Sequence, residues 1–100
     1  MVIVRMRFDS KLSEADQEKL SIGGLDKFRQ LPGLKQKYYV RNRDQETVGG
    51  IYFFETREAA EAYVNGPIVA SVGDRFKAEG AVEVEILDIE LTLHDDLYSA

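Results

Sequence analysis

The sequence predicts an α+β protein with a ferredoxin-like, split βαββαβ architecture built on one antiparallel sheet. Three observations carry this. Four stretches read as strands, at 2–8, 34–42, 48–54 and 81–91, by alternation or by continuous apolar character. Two helical stretches with capping residues at their starts separate strand one from strand two and strand three from strand four. A short polar turn from Asn42 to Thr47 joins the middle two strands into a hairpin.

In strand one, Val2, Val4, Met6 and Phe8 take one face, and Ile3, Arg5 and Arg7 the other. Asp9-Ser10 ends it. Ser13 with Asp16 three residues on resembles a capping box. The helix that follows runs to about Gln30, with Ala15, Leu20, Leu25 and Phe28 as expected core contacts and a kink or break at Gly23-Gly24. Pro32-Gly33 stops it. In strand two, strict alternation puts Leu34, Tyr38 and Val40 on the face toward the helices. Lys35, Lys37, Tyr39 and Arg41 then take the other face. Strand three, Gly49-Gly50-Ile51-Tyr52-Phe53-Phe54, opens on a glycine pair suited to close backbone approach or a bulge. Its next four residues are all apolar or aromatic, so both of its faces need cover.

Thr56 caps a short helix with Ala59, Ala60, Tyr63 and Val64 on one side. Asn65-Gly66-Pro67 ends it and starts another, in which Ile68, Val72 and Phe76 are four apart and Gly80 suits the C′ position. Strand four alternates as Val82, Val84 and Ile86, then changes phase to Leu87, Ile89 and Leu91. That implies a bulge or a change of environment. Right-handed crossovers place both helical segments on one face of the sheet. The other face, with Tyr39, one side of strand three and part of strand four, is left bare. A second copy packed face to face would cover it and enclose a cavity.

The 100 residues suffice for one domain, 1–100. No apolar run approaches the ~18 residues of a membrane span, and Met1-Val2-Ile3-Val4 leads into Arg5 and Arg7 rather than into a signal-peptide core. The chain has no cysteine, hence no disulfide, thiol nucleophile or thiolate metal site. A net charge of −5 argues against a general nucleic-acid surface. These features fit a cytoplasmic protein. Gly-rich phosphate loops, nucleophile elbows and zinc spacings are absent.

Pro32-Gly33-Leu34, Lys37-Tyr38-Tyr39, Gly49-Gly50-Ile51-Tyr52-Phe53-Phe54-Glu55 and Ala59-Ala60 with Ala62-Tyr63 together resemble the YdhR-type monooxygenase family. That family belongs to the dimeric α+β barrel superfamily, which also holds the antibiotic-biosynthesis monooxygenases. The resemblance implies a homodimeric barrel, a small hydrophobic or aromatic ligand, and oxygenase chemistry that needs no metal or flavin cofactor. A deprotonated phenol or quinol can react with oxygen directly. The protein supplies a dry pocket, orienting donors and a base or anion stabiliser. Close relatives commonly carry a Trp in strand two. This chain has none, and Gln36 and Tyr39 occupy that region.

The candidate ligand-binding residues are Lys37, Tyr39, Tyr52 and Arg41. A tyrosine in a cavity offers an apolar body and one hydroxyl; its plainer role is packing in the sheet. Arg5, Arg7, Lys37 and Arg41 would share the bare face, where Glu83 and Glu85 stand ready to neutralise most of them. Lys37 falls within the family-like string. Asn42 fits a turn role better than a ligand role. His94, the only histidine, lies in the acidic tail with Asp95 and Asp96, which makes a weak metal site. The same scarcity argues against a haem-degrading member, which would need a ligating histidine on a helix. The leading reading is a cofactor-independent monooxygenase of a small aromatic or polyketide-like substrate. The alternatives are a non-enzymatic small-ligand binder or stress-related accessory protein, and a lactone isomerase or cyclase on the same scaffold.

Overall fold

The computed structural model describes residues 1–94. The elements are β1 (Val2–Ser10), α1 (Glu14–Gly23), α2 (Leu25–Arg29), β2 (Leu34–Asn42), β3 (Thr47–Phe54), α3 (Arg57–Val64), α4 (Pro67–Arg75) and β4 (Ala78–Asp88). The strands form one sheet in the order β2-β3-β1-β4, with every neighbouring pair antiparallel. This is the ferredoxin-like arrangement the sequence predicts, with each of the two helical segments divided into a pair of helices. No helix among the described residues is long and apolar enough to cross a membrane.

The core lies between the sheet and the helices. Val2, Val4, Met6 and Phe8 are buried there with Tyr52 and Phe54 of β3, Ala60 and Tyr63 of α3, and Val72 of α4. β1 runs on through Ser10 instead of ending at Asp9, because a bulge after Arg7 lets Asp9 and Ser10 pair with Glu79 and Ala78. The Ser13 hydroxyl accepts from the Asp16 N–H at 3.2 Å, and the Thr56 hydroxyl from the Ala59 N–H at 3.1 Å. Both expected caps are thus made. The first helical segment breaks at Gly23-Gly24 and restarts as α2. Ala15 is exposed rather than in the core; the α1 residue that is buried is Gln17, at 8% exposure. An amide can enter there because it is satisfied. Its Nε2 donates to the Leu12 carbonyl at 2.9 Å, and its Oε1 accepts from Arg41 at 2.6 Å.

Strand two reverses the orientation that strict alternation predicts. Leu34 pairs with Phe54, Gln36 with Phe53 and Lys37 with Tyr52, so one extra residue is accommodated at Lys35. A β-bulge of this kind flips every later side chain to the opposite face. Leu34 therefore packs on the core, while Lys37, Tyr39 and Arg41 join Tyr52, Gly50 and Val48 on the helix side. Tyr38 and Val40, expected beneath the helices, stand on the bare face at 41% and 42% exposure.

The second helical segment also differs at its end. α4 stops at Arg75, Lys77 takes the positive φ of 48° just beyond it, and Gly80, expected as the C′ residue, lies inside β4. β4 keeps one register past Ile86, which pairs with Val4 as Leu87 pairs with Ile3. The phase change at Ile86-Leu87 is thus a change of environment, not a bulge. Ile86 packs on the core, and Leu87 joins Ile3, Ile51, Phe53, Tyr38 and Val40 on the bare face.

Candidate functional site

A cavity of about 320 Å³ opens between α1 and α2 on one side and the sheet on the other. Its sheet wall comes from β1 (Met6, Phe8), β2 (Lys37, Tyr39, Arg41) and β3 (Val48, Gly49, Tyr52). Gln17, Leu20, Gly24 and Phe28 roof it, and Tyr63, Val72, Arg75 and Phe76 close the end toward α3 and α4. The bulge at Lys35 is what aims the β2 residues into it. All four candidate residues, Lys37, Tyr39, Tyr52 and Arg41, line this one cavity. It lies on the helix side of the sheet, not on the bare face where the sequence placed it.

Lys37 is the most unusual group. Its Nζ sits 3.5 Å from the ring centroid of Phe28, 4.0 Å from that of Tyr39 and 4.8 Å from that of Tyr52. Aromatic faces attract the ammonium, but they replace water poorly. Burial, helped by the positive charge of Arg75, lowers the Lys37 pKa to about 7. No carboxylate among the described residues stands within ion-pair distance of it.

The tyrosines form the second part. The Tyr63 hydroxyl donates to that of Tyr52 at 2.9 Å, with ring centroids 5.0 Å apart. The Tyr52 proton is left to donate into the cavity. Burial pushes Tyr52 up to about 12 and raises Tyr63 and Tyr39 as well. All three remain neutral donors near pH 7. Arg41 is more constrained, since it donates to Gln17 and lies 3.5 Å from Glu14.

The remaining cations of the candidate set have other work. Arg5 and Arg7 point to the bare face and pair with Glu85 at 2.5 Å and Glu83 at 2.7 Å. Asn42 accepts the N–H groups of Asp44 and Gln45, both at 3.1 Å, so its role is in the turn. His94 is exposed at the end of the described chain, and Asp95 and Asp96 lie outside the described residues. Sequence reasoning missed Gln17 and Arg75 and took Phe28 and Tyr63 only as core. The run Lys35-Gln36-Lys37, three polar residues where alternation allows two, was the available signal for the bulge.

The fold recurs in solved structures. A protein of unknown function from Nitrosomonas europaea superposes with a TM-score of 0.75 at 15% identity, with 94% of this chain and 93% of that one covered. SnoaB, a cofactor-independent oxygenase from Streptomyces nogalater, gives 0.71 at 18% identity, with 94% and 97% covered. A mutant of MhuD, with two manganese protoporphyrin IX molecules bound per active site, gives 0.71 at 21% identity, with 95% and 100% covered. At these identities the likeness shows a shared fold. No curated protein matches the sequence. A family model does, over residues 2–94, and by that match the chain belongs to the family described as "Putative mono-oxygenase ydhR".

Proposed function

We propose that the protein oxygenates a small phenolic, quinol or polyketide-like aromatic without a cofactor, in the cavity beneath α1 and α2. The observation that carries this reading is Lys37: an amine with a pKa near 7, seated over three aromatic rings with no carboxylate partner among the described residues. A base poised near the operating pH is what proton abstraction from a phenol requires. The neutral amine takes the phenolic proton, and the ammonium so formed stays beside the phenolate. The Tyr52 hydroxyl would hold a substrate oxygen, and Met6, Phe8, Phe28 and Val48 supply apolar walls. The phenolate gives one electron to O2, and the two radicals combine at a ring carbon. The resulting hydroperoxide loses water to leave a carbonyl. One phenol and one O2 thus become one quinone and one water. Membership of a monooxygenase family and the shared fold of SnoaB support the reaction class.

Oxygen uptake with a panel of phenols and quinols, in metal-chelated buffer, tests the reading. Turnover is expected to rise with pH through about 7 as Lys37 loses its proton. Lys37→Met is expected to lose at least about 100-fold in kcat, the scale of general-base removal. Tyr39→Ala is expected to weaken phenol binding while the rest of the fold persists. Oxygen uptake unchanged in Lys37→Met would reject the mechanism. Tight binding without uptake would favour the non-enzymatic binder. A haem reading in the manner of MhuD finds neither imidazole nor thiolate on the cavity wall, where phenols and an amine stand instead.

The same reading includes a homodimer. Ile3, Tyr38, Val40, Ile51, Phe53 and Leu87 share a bare face, and a second copy would cover them across a two-fold axis. The expected interface buries on the order of 2,000 Å² in total. Sedimentation at low micromolar concentration is expected to give a dimer, and a monomer throughout would refute this part.

A further inference from the structure

Six of the seven arginines in the sequence pair with a carboxylate: Arg5, Arg7, Arg29, Arg41, Arg43 and Arg57. Arg75 has no carboxylate within 4.0 Å among the described residues, and it lines the cavity. It extends from the last turn of α4 and is held there in a defined way. Its Nε donates to the Ser71 hydroxyl at 3.0 Å, and that hydroxyl in turn donates to the Ile68 carbonyl at 2.9 Å. Its guanidinium carbon lies 5.8 Å from the ring centroid of Phe76, which packs edge-on against Phe8 at 5.5 Å. With Nε engaged, the paired Nη groups remain as an open fork, the geometry that matches a carboxylate.

Arg75 therefore stands with Lys37 as a second cation on an aromatic cavity, and the two charges repel. The effect of Arg75 is felt by Lys37, Tyr52 and Tyr63, all of which it makes easier to deprotonate. The cavity's own carboxylates do not relieve this. Glu14 is shared between Arg41 and Arg43, and Glu18 lies on the α1 side, beyond ion-pair distance of either cation. A bound anion would relieve it.

We infer that the cavity takes a hydroxyaromatic ligand that also carries a carboxylate, and that Arg75 binds that carboxylate. Lys37 then faces the hydroxyl at the other end of the ligand. The assignment rests on the aromatic-ligand reading above and names its substrate class. The cavity of about 320 Å³ is near the lower end of small-molecule sites, which suits one to three fused rings.

The test is a comparison of 6-hydroxy-2-naphthoate with 2-naphthol by calorimetry under nitrogen, so that binding is read without turnover. The carboxylate is expected to tighten binding about tenfold or more, the scale of a charge-assisted pair. That preference should shrink in high salt, because Arg75 is exposed. Arg75→Gln is expected to remove most of the preference, with a much smaller change in naphthol affinity. Arg75→Lys should restore only part of it, since charge returns without the fork. Equal affinity for the two ligands, or a preference that survives in Arg75→Gln, would overturn the inference. Binding of neither ligand would overturn it together with the aromatic-ligand reading. A carboxylate preference with no oxygen uptake in the separate assay would leave the inference standing and reject the oxygenase.

Discussion

Gly49→Ala is expected to cost at least about 3 kcal/mol of stability, the upper end of what overpacking usually costs, or to prevent folding. A Cβ on residue 49 would lie 1.8 Å from the Met6 carbonyl oxygen, 2.7 Å from the Met6 carbonyl carbon and 3.1 Å from the Arg7 Cα. All three atoms are backbone, and they belong to β1, which pairs with both β3 and β4 in the middle of the sheet. Relief requires parting the central strands, which opens ladder hydrogen bonds and the core beneath them. Gly50 is a different case. A Cβ there would meet the Tyr52 ring at 2.8 Å, and a ring can tilt. Gly50→Ala should therefore cost less, about 1 kcal/mol, and Gly50→Val more than that. The tilt would draw the Tyr52 hydroxyl from its bond with Tyr63. Urea titrations of the alanine variants are expected to rank residue 49 far above residue 50. Equal midpoints would show that the strands yield easily at this point.

Lys37→Met is expected to stabilise the protein by on the order of 2 kcal/mol at pH 6, because it removes a charge that burial penalises. The pH dependence follows from the same group. The unfolded chain holds the Lys37 proton up to its ordinary value of 10.5, while the folded chain releases it near 7. Below about pH 7 both states are protonated and the full penalty applies. Between about 7 and 10 the unfolded state binds more protons, so parent stability rises with pH. Tyr39, Tyr52 and Tyr63 titrate higher than usual in the folded state, and above about pH 10 they act in the opposite sense. Melting temperatures across pH 6–10 should climb in the parent and stay flatter in Lys37→Met. Parallel curves would show that Lys37 is charged and well solvated in the fold, and would remove it as the base. A residue that destabilises its own fold while sitting in a cavity fits a functional role better than a structural one.

Much of the architecture was legible because it rests on local rules. The alternation of Val2, Val4, Met6 and Phe8 fixed a face, Ser13 and Thr56 marked two helix starts, and Gly23-Gly24 marked the break. What escaped were positions where a tertiary partner overrides the local pattern. Gln17 is buried because Arg41, twenty-four residues away, satisfies its amide, and no periodicity announces such a bond. Gly80 has the left-handed φ that a C′ residue would need, but Lys77 turned the chain first. Lys37, Tyr39 and Arg41 line one cavity with Tyr52, but on the side of the sheet opposite to the one that strict alternation gave them; the apolar run of β3 had left the direction of Tyr52 open. The reversal follows from reading strand two as unbroken. Arg75 was passed over because a cation in the last turn of a helix already has a sufficient local reason to be there.

The bulge at Lys35 has a bearing on how such a cavity can change over time. Which side chains β2 offers to the helices depends on a count, not on their identities. Loss of Lys35 would leave Leu34 opposite Phe54 and Lys37 opposite Tyr52, so the lining would survive the deletion; taking Lys35 into the ladder opposite Phe53 instead would turn Lys37, Tyr39 and Arg41 outward together. A relative without the extra residue can therefore keep the same lining, and an alignment that slides the gap past residue 35 will compare the inside of one protein with the outside of another.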